Sequence, residues 1–270
     1  MKKEYRKELP RFIDDDLSDY GLILTDDLDS LLSCYLLNQV KGCNISTFYS
    51  FEEFYYSEIA DSKKMIGVDM AMVRGKCFDN HVTKNNANDY YNLQSVNINN
   101  INVSRTNYTK KYAMSTVLLI YSIYDIPLPE AELGKMLLLC IDSGFLGYYS
   151  GFKATHLKWL EILELDELIP VLEKYDRTDF ERLNGEYRLK SKVYMDNNKL
   201  QTDIELDELN EILDMDIQMP ELSFEKLDMI QFENKSSKIK RRSNIKKEKY
   251  FSLAFTSKDK VKYTKLHKVG

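Results

Sequence analysis

Four short apolar runs in this chain each lead into an aspartate. Leu22-Ile23-Leu24-Thr25 leads into Asp26-Asp27-Leu28-Asp29, Met65-Ile66-Gly67-Val68 into Asp69, Cys77-Phe78 into Asp79-Asn80-His81, and Leu137-Leu138-Leu139-Cys140-Ile141 into Asp142. In an open α/β sheet, ligands collect outside the carboxyl ends of the strands, so carboxylates placed just after strands share one crevice. Carboxylates crowded there repel one another unless a divalent cation neutralises them, and hard oxygen ligands suit magnesium or manganese. A metal site is the economical reading.

The pattern along the chain agrees with an α/β fold built on a doubly wound parallel sheet. Residues 20–25 read as a buried strand and residues 28–40 as a helix, with Asp26 or Asp27 at its start. Residues 45–51 make a second strand, followed by an acidic helical stretch through residue 59. Residues 65–69 and 76–79 make two more strands, and such alternation argues for a parallel sheet covered by helices. Asparagine stands at 85, 86, 88, 92, 97, 99, 100, 102 and 107. Because asparagine competes for local backbone hydrogen bonds, residues 84–107 are expected to form a long loop or lid. Helical patterns follow over residues 108–124, 130–141, 157–163 and 166–175.

A boundary near Asp176 divides the chain into a core, residues 1–175, and a smaller C-terminal α+β unit, residues 176–270. Within that unit, residues 187–195 and 200–204 flank the turn Asn197-Asn198, and residues 250–256 and 261–263 form a second hairpin. Residues 235–249 are too charged to be core.

With 270 residues and 43% hydrophobic content, the chain can bury a full core. Its start is charged, and no stretch approaches the roughly 18 apolar residues of a membrane span, so a cytoplasmic location without membrane contact is the expectation. Cys34, Cys43, Cys77 and Cys140 lack metal-binding spacing and read as packed thiols. His156 and His267 have no motif around them and read as structural or exposed.

The net charge of −5 hides a basic segment, because residues 235–268 oppose many lysines and arginines to only Glu248 and Asp259. Lys240, Arg241, Arg242, Lys246 and Lys247 are the candidates for contacting a polyanion, and Tyr250, Phe251, Phe255 and Tyr263 could stack bases. A solubilising appendage explains the same basic run equally well.

In order and spacing, Asp26-Asp27-Leu28-Asp29-Ser30, Gly67-Val68-Asp69, Asp79-Asn80-His81 and Asp142-Ser143-Gly144 resemble the four motifs of the DHH phosphoesterases. The resemblance covers about the first 150 residues of the 270. It implies a RecJ-like or pyrophosphatase-like core holding manganese or magnesium, one or two ions. Asp27 and Asp29 would each hold one metal, Asp69 would bridge both, and Asn80 and Asp142 would complete the set. His81 would sit beside the substrate phosphate as a hydrogen-bond or proton donor, with Asp69 the second catalytic group. Asn80 stands where the family has its first histidine, Ile23 where some relatives carry another, and the family's glycine-rich C-terminal signature is missing. The expected activity is metal-dependent hydrolysis of a phosphodiester in a nucleic acid end, a short oligonucleotide or a nucleotide. A catalytically decayed nucleotide- or nucleic-acid-binding protein and a small-molecule pyrophosphatase are the alternatives.

Overall fold

The computed structural model describes residues 1–239 and 245–268. After a short helix α1 (Lys3–Arg6), the chain lays down β1 (Tyr20–Leu24), α2 (Leu28–Lys41), β2 (Asn44–Tyr49), β3 (Phe54–Ser57), β4 (Lys64–Val68), β5 (Cys77–Phe78) and β6 (Ser95–Val96). Four helices follow, α3 (Asn99–Asn102), α4 (Thr116–Ile123), α5 (Glu132–Cys140) and α6 (Lys153–Leu163), then α7 (Ile169–Lys174) and α8 (Arg177–Glu186). The remainder is a hairpin of β7 (Val193–Asp196) and β8 (Lys199–Thr202), helix α9 (Leu206–Leu213), and strands β9 (Phe224–Lys226), β10 (Ile230–Lys238), β11 (Ser252–Ser257) and β12 (Lys260–Lys268).

The protein is α/β, with a seven-stranded central sheet in the order β6-β5-β4-β1-β2-β3-β9. The β6-β5-β4-β1-β2 part is parallel throughout, and β3 and β9 add to its edge antiparallel. Leu22, Ile23 and Leu24 are all buried, as expected of a strand covered on both faces. Asp27 caps α2 by accepting from the Ser30 amide at 3.2 Å, and Gly42 ends the helix in the left-handed conformation at φ 68°. Those are the usual chemical signals for a helix start and stop. All eight residues of α4 are buried, and it packs against α2. The main core is continuous from Met1 to Val261.

Two expectations need correction. The acidic stretch after the second strand is β3, not a helix, because Phe54 and Tyr55 pack against Tyr49 and Phe48 across the sheet. Residues 84–107 are not a lid: they contain β6 and α3, and Asn92, Asn97, Asn99 and Asn100 are buried. The charged run from residue 235 begins outside the core as expected, with residues 235–238 unburied, and there it forms the end of β10, which pairs along its length with β12. Its Phe232 stacks on Phe54 at 5.6 Å and meets Tyr49 at 5.1 Å, which joins the small β10-β12-β11 sheet to the central one.

The expected boundary at Asp176 falls on the N-cap of α8. Beyond it, α8 packs on α5 and β9 enters the central sheet, while the hairpins at β7-β8 and β11-β12 form where their turn residues indicated. Among the described residues, no helix is long and apolar enough to cross a membrane.

Candidate metal centre

Each motif aspartate sits at the end of an element, and the sheet order brings those ends together. Asp27 and Asp29 lie at the start of α2 just past β1, Asp69 follows β4, Asp79 follows β5, and Asp142 follows α5. Asp69 at φ 52° and Asp142 at φ 49° both occupy the left-handed region. Aspartate enters that region more readily than most residues, but still at a cost, and such conformations cluster at functional sites.

Asp29, Asp69 and Asp79 are buried, Asp142 reaches the surface, and donors from other elements hold all four. Asp29 accepts from the backbone amides of Thr116 at 2.8 Å and Val117 at 2.9 Å, one on each oxygen, at the first turn of α4. Thr116 also donates its hydroxyl to Asp69 at 2.8 Å, so one helix start fixes two acids. Burial raises the pKa of Asp29 well above the carboxylate range, and repulsion from Asp69, Asp142 and Asp27 adds to it. Burial, then Asp27, Asp142 and Asp79, push Asp69 up to about 8 despite the opposing charge of His81. Asp142 is raised for the same reason, with His81 and Lys111 partly offsetting burial and Asp27. The charges of Asp27 and Asp142 thus act on both Asp29 and Asp69.

His81 comes from the loop after β5. Its Nδ1 lies 2.7 Å from Asp79 Oδ1, and the other Asp79 oxygen accepts from Asn97 Nδ2 at 2.7 Å. Burial works to lower the imidazole pKa, but Asp79, Asp69 and Asp142 outweigh it and raise it to about 9. The ring's side chain remains 39% exposed, so it is accessible to a substrate.

The side-chain nitrogen of Asn80 donates to the Met114 carbonyl at 2.9 Å and to Asp142 at 3.1 Å. Asn80 thus helps to position Asp142 through its nitrogen, whereas the expected ligand is its amide oxygen.

Two cavities flank the acids. One of about 220 Å³ is lined by Asp27, Asp29, Asp142, Ser143, Lys190 and Lys192. Lys192, at the entry to β7, reaches Asp26 at 3.0 Å and Asp27 at 3.7 Å. The other, about 70 Å³, lies between Asp69 and His81 on one side and Asn234, Ser252, Lys262 and Thr264 of the small sheet on the other. That sheet is docked by backbone hydrogen bonds from Leu253 to Ala71 at 2.9 Å and from Phe255 to Val82 at 2.7 Å.

The residues can hold a divalent cation. Asp69, Asp79 and His81 each bring one ligand atom, all within 4.8 Å of one another, and Asp27, Asp29, Asn80 and Asp142 are not in that group. Two carboxylates and an imidazole form a mixed oxygen and nitrogen donor set that does not by itself select one metal. Sequence reasoning left Asp79 out of the ligand set although it ends an apolar run like the others. Thr116, Asn97 and Lys192 carry no local signal, since their roles depend on partners far along the chain.

The basic candidates fare unevenly. Lys240, Arg241 and Arg242 lie outside the described residues. Lys246 is exposed, whereas Lys247 is buried, ion-paired with Asp89 at 2.6 Å and donating to the Tyr90 carbonyl. As a polyanion contact Lys247 is corrected to a structural ion pair, because its charge is already spent. Phe255 is 1% exposed and Phe251 packs edge-on with Tyr49, so neither presents a free face to a base, while the rings of Tyr250 and Tyr263 lie tilted against each other at 4.5 Å. In comparisons with protein-family models, curated proteins and solved structures, nothing matches this chain.

Proposed function

We propose that this protein is a DHH-type phosphoesterase that uses manganese or magnesium to hydrolyse a phosphodiester in a nucleotide, a short oligonucleotide or a nucleic acid end. The observation that carries the reading is the clustering of Asp29 and Asp69, both buried, with the charge of Asp142 raising both, beside the Asp79–His81 pair. When bound there, divalent cations supply an activated water and neutralise charge on the phosphate oxygens.

The chain's own groups do the rest. His81, held at Nδ1 by Asp79 and with a side chain 39% exposed, can donate a hydrogen bond to a phosphate or leaving oxygen when it is not itself a ligand of the cation. Asp79 holds the ring through Nδ1, and Asn97 holds Asp79. Thr116 and the α4 amides fix Asp69 and Asp29 before substrate arrives, so little reorganisation is needed on binding. Lys192 and Lys262 line the flanking cavities, where a phosphate would find positive charge.

A second reading, a silent nucleotide-binding protein, is favoured by Asn80, which donates to Asp142, and by Asp29, both of whose oxygens already accept amides. A hydrolysis screen separates the two. Bis-p-nitrophenyl phosphate, cyclic and linear dinucleotides and short single strands are offered with manganese or magnesium. Cation-dependent turnover that Asp69→Asn and Asp142→Asn both remove is the result expected. Saturable nucleotide binding with no turnover by the folded protein would favour the silent reading.

A further inference from the structure

The two edges of the small β10-β12-β11 sheet are treated differently. On the β11 side, the outward amides of Leu253 and Phe255 donate to the carbonyls of Ala71 and Val82, which docks the sheet on the body. The other edge is β10, nine residues from Ile230 to Lys238. Ile239 donates to the Asp259 carbonyl at 2.9 Å, and the unbroken register from Ile230↔Lys268 to Lys238↔Lys260 then fixes which residues bond inward. Bonding residues alternate in an antiparallel ladder, so Gln231, Glu233, Lys235 and Ser237 turn their backbone groups to β12. Those of Ile230, Phe232, Asn234, Ser236 and Lys238 point away from the sheet, and among the described residues no strand pairs with them. Such a row is a template for another strand.

The side chains along this edge match a second copy of the same strand. Only registers centred on an outward residue can bond, and the one centred on Asn234, the midpoint, overlaps all nine residues. It sets Glu233 opposite Lys235 of the second copy, and Lys235 opposite its Glu233, with no like charges facing. The other facing pairs are Gln231 with Ser237, Phe232 with Ser236 and Ile230 with Lys238. Glu233 already pairs with Lys235 of its own strand and lies 3.5 Å from His267, yet the Glu233 and Lys235 side chains stay 37% and 51% exposed. Beside the first half of the edge opens a cavity of about 460 Å³, whose lining holds Glu52, Glu53, Asp228 and Glu233 against Lys226 and His267. Antiparallel pairing brings the basic end of one strand, Lys235 and Lys238, to this acidic end of the other. Edge lysines commonly repel other strands, but repulsion needs one sign of charge, and here the signs differ on the two sides of the midpoint.

We propose that this protein forms a two-fold dimer in which β10 pairs antiparallel with β10 of a second copy, centred on Asn234, so that the two small sheets become one. About ten backbone hydrogen bonds close the seam, two for each facing outward pair. An interface of one strand pair is small, and a dissociation constant of about 1–100 μM follows. Asn234 also lines the cavity beside Asp69 and His81, so the dimer axis runs next to both acidic crevices. The pairing does not depend on the phosphoesterase reading.

Sedimentation equilibrium of the full-length protein, from about 1 μM to 1 mM, tests the proposal. Wild type should pass from monomer to dimer across that range. Ser236→Pro removes an outward amide that β12 does not use and puts a ring in the seam. That variant should stay folded by circular dichroism and dimerise at least about tenfold more weakly. Glu233→Lys and Lys235→Glu each set like charges face to face and should weaken the dimer about threefold to tenfold. Mixing these two variants faces lysine only with glutamate, so a heterodimer tighter than either homodimer is expected. A wild type that stays monomeric at the highest concentration overturns the proposal. So does a folded Ser236→Pro that dimerises like wild type, or a mixture of the charge variants that associates no better than each alone. Should Ser236→Pro fail to fold, the mixture decides.

Discussion

The acidic crevice and the basic C-terminal sheet carry opposite charge, but only in the crevice are the charges packed where they cannot avoid one another. Asp29 and Asp69 are buried, Asp142 reaches the surface beside them, and the pKa values of all three rise for want of compensation. In the C-terminal region Lys235 pairs with Glu233, Lys247 pairs with Asp89, and Lys246 and Lys262 are exposed. Charge density is similar to the eye in the two sequences. What separates them is the cost of leaving the charge unbalanced, which is large in the crevice and small on an exposed strand face.

The largest expected effect breaks the crevice itself. Asp69→Asn keeps an acceptor for Thr116 but removes the charge at the centre of the cluster. Cation-dependent hydrolysis should fall by about a thousandfold or more, the scale of losing a main electrostatic contact to the reacting group. The melting temperature of the cation-free variant should equal or exceed that of the wild type, because an unbalanced buried charge has gone. A variant that keeps its activity would remove Asp69 from the site.

Next in size is Lys247, the buried, ion-paired lysine of the C-terminal region. Lys247→Met leaves Asp89, at 20% side-chain exposure, without its partner, and should cost about 3 kcal/mol in a denaturant titration. Lys246→Ala, one residue away and exposed, should change stability by less than about 0.5 kcal/mol. Equal effects at both positions would contradict the contrast drawn between paired burial and exposure.

A buried neutral histidine shows a third way of handling a titratable group. The unfolded imidazole takes up a proton below its ordinary pKa of 6.5, whereas folded His156 resists until about 4. The unfolded state thus binds more protons in that window, and wild type should lose stability as pH falls through it. Relative to His156→Phe the loss should approach about 3 kcal/mol by pH 4, from the size of the shift. Parallel stability curves for the two proteins would show that His156 is not held neutral.

Much of the crevice was legible because its signals are local. An apolar strand followed by aspartate and a helix start is visible in a few consecutive residues, so β1, α2, β4 and their acids could be read directly. The asparagine-rich stretch misled for a physical reason. The hydrogen-bonding capacity that favours asparagine in loops also lets Asn97 bridge Asp79 and the His81 carbonyl, and lets Asn99 bridge the backbones of Asn80 and Tyr112. Only the tertiary partners distinguish a solvated asparagine from a buried brace. For β10 the alternation of Ile230, Phe232 and Asn234 with polar neighbours was present, but the lysines obscured a strand that buries one face.

The central claim is that the crevice balances its crowded carboxylates with a divalent cation, and calorimetric titration of manganese into the cation-free protein tests it most directly. Wild type should show saturable heat and a melting temperature that rises with cation, while Asp69→Asn shows neither and remains folded. A folded wild type that binds neither manganese nor magnesium, or an Asp69→Asn variant that binds as well as wild type, would contradict it.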